Sequence, residues 1–387
     1  MLDRAMQIND QIVAWRRDFH KHPELGFQEK RTAARVAEIL GKLGCQVRTG
    51  VGRTGVVGDL GSGSPIVAIR ADMDALPVME NNPASYVSQV PGVMHACGHD
   101  AHTAMALGAA TLLVHESFPG TVRFLFQPAE EVADEEGIGG AERMIEDGAM
   151  QGVDMVFALH VDSSVSAGDI TLDAGANSAG VDTFYATILG RGGHGAAPEK
   201  VVDPIHIAGH VILALHSIVS RRLYPMEPAV ISIGSLHSGD AANVIPNRVE
   251  ISGTIRYMDN NIQKKIHEEI ERALSIASAM GGDYEFELEI GNPPMFNDDG
   301  VVALINQAAV DLLGAEHVKV PRQEMGAEDF GYFAELAPGA MFYLGAKIAG
   351  DERRHHSPRF DIDERCLPIG AALLAETALR YNRGNGL

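Results

Sequence analysis

Four short motifs along the chain each place a potential metal ligand or acid–base group directly after an apolar run. They are MHACGHD at 94–100, FQPAEE at 126–131, FALH at 157–160 and HHS at 355–357. Together they offer thiolate, imidazole and carboxylate groups, a ligand set that suits zinc or a similar divalent ion. Each motif alone is weak evidence, but their shared position after predicted strands indicates one common site.

Cys97 and His99 are separated by one residue, so both side chains can reach one metal ion or an adjacent pair. The alternative for Cys97 is a small buried hydrophobic residue, which is common for a free cysteine. The neighbouring histidine and the other motifs favour the ligand interpretation. His95 and His102 lie close by and are interpreted as structural or supporting residues.

Glu130 and Glu131 are adjacent carboxylates that follow a predicted strand and a proline. They can divide two tasks, with one binding metal and the other accepting a proton from the attacking water and passing it to a leaving nitrogen. The alternative is a solvated acidic loop, because further acids follow at 134–136.

Other candidates are isolated histidines and aspartates. His160 ends an apolar run, where a lone histidine can equally be a packed residue. At least one of His355 and His356 is expected to be exposed and inert. A carboxylate of RADMDALP, at 70–77, could hold a ligand imidazole in place or instead cap a turn or helix.

Three polar residues in the middle of the chain are further candidates. His194 lies in GRGGHG, whose glycines would let the backbone approach a ligand closely, although a flexible turn with an incidental histidine is the alternative. Asn243 lies in NVIPN. Arg256 lies on an alternating strand, from which its guanidinium could pair with a substrate carboxylate.

The elements that must position the first four motifs alternate between strand and helix. The apolar runs predict buried strands at 66–69, 122–126, 155–159 and 341–344. Helices are expected at about 8–20, 29–43 and 101–114, the last capped by Asp100. This alternation predicts an α/β fold with a mostly parallel sheet, in which ligands bind beyond the carboxyl ends of the strands.

The middle of the chain predicts a second domain. Its patterns follow the order β-α-β-β-α-β, with elements at 182–189, 204–220, 229–236, 249–257, 261–280 and 284–290. We therefore expect a ferredoxin-like domain at 180–292. It would interrupt a discontinuous metal-binding catalytic domain at 1–179 and 293–387.

Composition excludes several classes of function. The formal net charge of −21 argues against a nucleic-acid partner or an anionic membrane surface, since both require clustered Lys and Arg. The three distant cysteines argue against a disulfide framework. No apolar stretch reaches membrane-spanning length and no signal peptide is expected, which predicts a cytoplasmic protein. No G-x-G-x-x-G directly joins a strand to a helix, which disfavours a dinucleotide-binding enzyme.

Eight motifs, in order, resemble the M20 metallopeptidase family. The branch they resemble is its amidohydrolase subfamily of hippurate hydrolases, aminoacylases, auxin-conjugate hydrolases and related carboxypeptidases. The motifs are RADMDALP, GVMHACGHDAHTA, FQPAEE, GRGGHGAAP, NVIPN, GTIR, GAEDF and HHSPRF. They extend over about residues 20–363, nearly the whole chain, which argues against a chance match.

The resemblance implies roles for the candidate residues. The implied metal ligands are Cys97, His99, Glu131, His160 and His356. Glu130 would be the general base, and Asp72 the carboxylate that supports the site. The inserted domain would be a lid that mediates dimerisation, from which His194 would reach the partner subunit's site and stabilise an oxyanion. Asn243 and Arg256 would help to hold the substrate.

The implied chemistry is hydrolysis of the amide bond of an N-acyl amino acid by metal-activated water. Two divalent ions per subunit are expected, zinc first, with manganese, cobalt or nickel as alternatives. A metallo-carboxypeptidase or dipeptidase acting on short peptides is the alternative, and a non-catalytic, metal-stabilised binding protein is less favoured. A homodimer or a dimer of dimers is expected. The chain departs from the family pattern at the longer acidic segment EEVADEEGIGGAE and at VDSS after His160.

Overall fold

The computed structural model describes residues 1–320 and 325–384, and in these residues sixteen β-strands and eleven α-helices form. They make two compact units. Of the described residues, the larger unit contains 1–177, 296–320 and 329–384, and the smaller unit contains 178–295 and 325–328. None of the described helices is both long enough and apolar enough to cross a membrane.

The strands are, in chain order, β1 (Gln46–Val51), β2 (Gly55–Ser62), β3 (Ile66–Asp72), β4 (Gly120–Gln127), β5 (Met155–Ser166), β6 (Ile170–Thr171), β7 (Gly175–Ser178), β8 (Gly180–Leu189), β9 (Gly193–His194), β10 (Ala229–His237), β11 (Val244–Ile245), β12 (Arg248–Tyr257), β13 (Asp283–Ile290), β14 (Met295–Asn297), β15 (Val318–Lys319) and β16 (Gly339–Lys347).

The helices are, in chain order, α1 (Leu2–Gln7), α2 (Asn9–Lys21), α3 (Lys30–Lys42), α4 (His99–Leu113), α5 (Gly140–Glu146), α6 (Pro204–Arg221), α7 (Asn260–Leu274), α8 (Ile276–Ala279), α9 (Asp299–Leu313), α10 (Phe330–Ala334) and α11 (Cys366–Asn382).

The larger unit is built on an eight-stranded sheet with the order β1-β2-β4-β3-β5-β16-β6-β15. Its four central strands, β4, β3, β5 and β16, run parallel to one another, and β1 and β2 are antiparallel at one edge. Every residue of β4 is buried, which explains why these strands read as continuous apolar runs without alternation. The predicted α/β fold with a mostly parallel sheet is confirmed.

Helix α4 is buried almost throughout and packs against α2, α11 and β3. Its N-cap is Gly98, so the expectation that Asp100 caps this helix is wrong. Gly98 has a φ of 99°, and a Cβ added there would lie 2.3 Å from a Val161 methyl carbon. Only glycine fits this left-handed, crowded position. Asp100 instead lies in the first turn and accepts hydrogen bonds from Arg16 and His20.

The smaller unit has an antiparallel four-stranded sheet with the order β10-β12-β8-β13. Helices α6, α7 and α8 pack on one face, against the alternate residues Val249, Ile251, Ile255 and Tyr257 of β12. Alternation with period two places one set of side chains in the core and the other on the opposite face. The predicted ferredoxin-like element order is confirmed.

Two element boundaries differ from the predicted ones. The helix expected at 261–280 is interrupted at Ser275, between α7 and α8. Strand β5 does not end at His160 but continues to Ser166, because β16 pairs with it in parallel from Val156 to Asp162 and again, after a register shift, at Ser166. His160 therefore lies within a strand, where its neighbours are fixed by the sheet.

Candidate metal centre

The carboxyl ends of the central parallel strands bring the predicted ligands to one edge of the larger unit's sheet. Asp72 is the last residue of β3, and Glu130 and Glu131 follow the end of β4. His160 lies near the middle of β5, and His356 follows β16. This edge is where α/β sheets bind ligands, because the loops that follow parallel strands converge there.

Cys97 lies at the centre of the cluster. Its sulfur, His99 and His160 have donor atoms within 4.8 Å of one another, and its sulfur, Glu131 and His356 form a second such group. The Cys97 Sγ to His160 Nε2 distance is 3.5 Å. Because Cys97 is common to both groups, its thiolate could be a ligand in either of them.

His99 has an imidazole nitrogen that is suited to a cation. Its Nδ1 lies 2.9 Å from the Asp74 carbonyl oxygen and 3.0 Å from Asp74 Oδ1, so Nδ1 carries the proton. Its Nε2 is buried and has no hydrogen-bond partner among the described residues. An unsatisfied buried polar atom costs about 1–3 kcal/mol, and a bound metal ion would satisfy it.

Glu131 gives a second indication that a cation belongs here. Its Oε1 is buried and lies 3.0 Å from His356 Nε2, but the two atoms do not have hydrogen-bond geometry. The Glu131 N–H donates to Asp74 Oδ2 at 3.0 Å. The donor set and its orientation therefore fit a divalent ion.

The aspartates of RADMDALP support the cluster from behind. Asp74 orients both His99 and Glu131. Asp72 lies 2.6 Å from His102 Nδ1 and accepts a hydrogen bond of 2.6 Å from Arg70. Since His102 Nε2 accepts from the Val161 N–H at 2.9 Å, both of its ring nitrogens are occupied, as expected for a supporting residue.

The charges of the cluster are strongly coupled. Burial raises the pKa of the Cys97 thiol well above its usual range. Burial opposes ionisation of Asp72 and Glu131, yet His99 and the other neighbouring imidazoles hold both carboxyl pKa values below their ordinary range. A divalent cation would reverse the protonation of Cys97, because a coordinating thiol is deprotonated.

Residues 68–380 of the chain match the description Peptidase family M20/M25/M40. The chain is 40% identical to thermostable carboxypeptidase 1 of Saccharolobus solfataricus, over 97% of this chain and 96% of that protein. It is 37% identical to the N-acetyl-L-cysteine deacetylase of Bacillus subtilis, over 98% of this chain and 90% of that protein.

A solved structure agrees with these relatives. The Bacillus subtilis YXEP protein, described as a dinuclear metal-binding peptidase of the M20 family, has a TM-score of 0.85 and 32% identity, covering 97% of this chain and 99% of that one. The chain belongs to the M20 peptidase family. The resemblance seen in its motifs is therefore confirmed, and this M20 protein is a metal-dependent hydrolase.

In the smaller unit of this M20 hydrolase, His194 and Asn243 lie side by side. His194 in β9 pairs with Val244 in β11, and the Gly195 N–H donates to the Asn243 carbonyl oxygen at 2.9 Å. His194 Nδ1 accepts from the Ala196 N–H at 3.0 Å, which leaves its proton on Nε2. The exposed ring can thus donate a hydrogen bond to a ligand.

Arg256 lies on β12 between the buried residues Ile255 and Tyr257. Alternation along the strand places its side chain on the face that the helices leave open. Partial burial lowers the pKa of its guanidinium from the ordinary value. A cation on an open sheet face is available to an anionic group.

His355 makes contacts that the sequence did not predict. Its Nδ1 lies 3.7 Å from Cys97 Sγ, and its Nε2 accepts from the Ser163 N–H at 3.4 Å. The His356 side chain is 55% exposed, yet it belongs to a potential ligand group. Exposure alone therefore does not identify which member of the pair is inert.

The two segments that depart from the family pattern, EEVADEEGIGGAE and the VDSS after His160, both make defined contacts. In the acidic segment, Asp134 pairs with Arg53 and Arg143, so this loop is cross-linked by ion pairs. Ser163 and Ser164, which follow His160, line a cleft of about 370 Å³ together with Lys347 and 350–354. The cleft lies next to His355, whose Nε2 accepts from the Ser163 N–H.

Proposed function

We propose that this M20 protein hydrolyses the amide bond of N-acyl amino acids, with two divalent ions bound by Cys97, His99, Glu131, His160 and His356. The observation that carries the proposal is the pair of donor groups that share Cys97. The description of the YXEP protein as dinuclear supports two ions. Zinc is the ion proposed first, because it suits thiolate and imidazole donors.

When bound, the ions would polarise the substrate carbonyl and make a water molecule more acidic. Glu130 is the general base in this proposal, since it stands next to Glu131 and within the same donor cluster. It accepts the proton of the attacking water and returns it to the departing nitrogen. Asp72 and Asp74 hold the imidazoles and Glu131 in place while this happens.

The smaller unit would complete the site in a homodimer. His194 donates a hydrogen bond from its Nε2–H to the oxyanion of the partner subunit's substrate, a role that its tautomer and exposure support. Asn243 and Arg256 bind the substrate, and Arg256 selects a free carboxylate through paired hydrogen bonds. We propose that 180–292 acts as both lid and dimerisation domain.

A second candidate is a carboxypeptidase or dipeptidase acting on short peptides. The cleft lined by Ser163, Ser164 and Lys347 supports it, because hydroxyl and ammonium groups can hydrogen-bond to a peptide. Thermostable carboxypeptidase 1 is a relative with that activity in its name. The N-acetyl-L-cysteine deacetylase supports the first candidate in the same way.

Turnover of a substrate panel separates the two candidates. The panel contains N-acetyl amino acids, N-benzoyl amino acids and dipeptides, tested with metal-stripped protein and with zinc-, manganese- and cobalt-loaded protein. The proposal predicts metal-dependent hydrolysis with the highest kcat/KM on an N-acyl amino acid. Preference for dipeptides would favour the second candidate, and metal binding without any turnover would contradict both.

A further inference from the structure

The loop that carries the proposed general base has a strained backbone. We call residues 128–131 the base loop. Ala129, directly before Glu130, has a φ of 45°, in the left-handed region that side chains other than glycine avoid. Among the described residues, the other non-glycine positions with positive φ are Phe27, Arg53 and His356. Such strain persists only where surrounding contacts enforce it.

Two hydrogen bonds hold this conformation: the Gly140 N–H donates to the Ala129 carbonyl oxygen at 3.0 Å, and Glu29 accepts the Ala129 N–H. The Glu29 side chain is fully buried, and its Oε1 accepts the Ala129 N–H at 2.8 Å. Its Oε2 accepts the Thr54 hydroxyl at 2.5 Å, which fixes the carboxyl group. On the other side of Glu130, the Glu131 N–H donates to Asp74 Oδ2. The base loop is therefore held by a buried carboxylate on each side of Glu130.

Helix capping does not account for Glu29. The residue occupies the N-cap position of α3, but its side chain makes no capping hydrogen bond. No Lys or Arg of the described part of the chain pairs with it either, and burial raises its pKa to about 7. Burying a carboxyl group without a cation is unfavourable, and the contact it makes is with the base loop.

We propose that Glu29 is a positioning residue, which holds Glu130 in place for proton transfer by fixing the Ala129 N–H. The inference rests on the proposed function, in which Glu130 is the general base. Displacing a catalytic group by about 1 Å can cost on the order of 10²-fold in rate. Loss of Glu29 therefore lowers the rate of the chemical step and leaves substrate binding and metal binding intact.

The test uses the full-length, metal-loaded protein and an amide that the wild type hydrolyses. Glu29→Ala is expected to lower kcat about 10–100-fold, with KM within about 2-fold of the wild type. Glu29→Gln should keep most of the activity, because its amide oxygen can still accept the Ala129 N–H. Two bound ions per subunit, measured by mass spectrometry, should remain in both variants.

A second substitution tests the route through Ala129. Glycine adopts the left-handed conformation without a steric penalty, so Ala129→Gly should recover part of the lost kcat in the Glu29→Ala background. If Glu29→Ala does not fold, Glu29→Asp replaces it, because the shorter side chain withdraws the acceptor from the Ala129 N–H. The same loss and recovery of kcat are expected.

Glu24 is the matched control, because it lies with Glu29 in the segment HPELGFQEKRT at 22–32. Its Oε2 accepts the N–H and the hydroxyl of Thr32 in α3, at 2.8 and 2.9 Å, and its side chain makes no hydrogen bond to the base loop. Glu24→Ala should lower the melting temperature and leave kcat per metal-loaded site within about 3-fold.

Three results would overturn the proposal for Glu29. They are an unchanged kcat in Glu29→Ala, a loss of bound metal that accounts for its lower activity, and no recovery of kcat with Ala129→Gly. Each of these results can be obtained only if the wild-type protein hydrolyses the amide. A wild type that hydrolyses no amide would instead refute the proposed function, and with it the role of Glu130 on which Glu29 depends.

Discussion

Cys97 is the residue on which the metal centre depends most. It belongs to both potential ligand groups, and burial raises the pKa of its thiol well above the usual range. A buried thiolate is stable only beside cations, so the deprotonated side chain and the bound ions require each other.

Cys97→Ala is therefore expected to lose most of the bound metal and at least about 100-fold of the activity, because both proposed ligand groups lose a donor. Metal content by mass spectrometry and turnover of the same preparation measure this. Cys45→Ala is the control, since Cys45 is a buried cysteine of the hydrophobic core and lies in neither ligand group. Full metal content in Cys97→Ala would contradict the shared-ligand interpretation.

The ionisation of Glu29 should make the free energy of unfolding depend on pH. Burial raises its pKa from 4.5 to about 7, so between these values the folded protein binds more protons than the unfolded protein. Its contribution to stability is full below pH 4.5 and is lost as pH rises towards 7. The loss is at most about 3 kcal/mol, from the size of the shift.

Glu29→Gln does not titrate, so its free energy of unfolding should rise relative to that of the wild type between pH 5 and pH 8. Chemical denaturation of chelator-treated protein across this range measures the difference. Glu24→Gln should follow the wild-type slope. Parallel curves for the wild type and Glu29→Gln would show that Glu29 has an ordinary pKa in the folded protein.

At the scale of elements, helix α2 is fixed to α4 by a buried ion pair. The Arg16 guanidinium is fully buried and donates to Asp100 at 2.9 Å and to Asp361 at 2.9 Å. Asp100 lies in the first turn of α4, directly after His99. The ion pair therefore holds together the helix that carries a proposed ligand and the helix that packs against it.

Arg16→Met should destabilise the protein by about 3–5 kcal/mol, because it removes the guanidinium from the buried Asp100 and leaves it only the His20 imidazole. Arg17→Met is the control: the Arg17 side chain is 43% exposed and pairs with Glu364 at 2.6 Å. An exposed pair contributes about 1 kcal/mol or less. Urea denaturation measures the free energy of unfolding of both variants. Equal decreases would mean that the buried ion pair stabilises the protein no more than the exposed one.

Apolar runs and helical spacing in the sequence predicted part of the larger unit, although helices α9 and α11 were not predicted. The four central strands and α2, α3 and α4 follow from apolar runs and helical spacing. Strands β1 and β2 were missed because their burial does not alternate and glycines interrupt them. The Asp100 cap was wrong because the residue's partners, Arg16 and His20, are about eighty positions away in the sequence.

The residues of the candidate site also fall into those that the sequence predicted and those that it did not. Cys97, His99 and Glu131 could be proposed from their chemistry and from motif resemblance. The contacts of Asp74, His355 and Glu29 could not, since each depends on a partner brought close only by the fold; Glu29 and Ala129 are 100 residues apart. One available signal was the unassigned HPELGFQEKRT segment, which contains Glu29.

For the whole molecule, the proposal that His194 serves the partner subunit's site predicts complementation. Glu130→Gln and His194→Ala are each expected to be nearly inactive alone. When they are co-expressed, half of the dimers are mixed and one of their two sites is intact, so roughly 25% of wild-type activity should return. No recovery in purified mixed dimers would show that His194 acts within its own subunit or not at all.

In the proposed mechanism the adjacent glutamates have different tasks, with Glu131 binding metal and Glu130 moving the proton. Metal content and kcat of Glu130→Gln and Glu131→Gln, measured side by side, distinguish these tasks. We predict that Glu130→Gln keeps two ions per subunit and loses about 10²–10⁴-fold in kcat, whereas Glu131→Gln loses metal as well as activity. A Glu130→Gln protein that retains its kcat, or that loses its metal, would contradict this account.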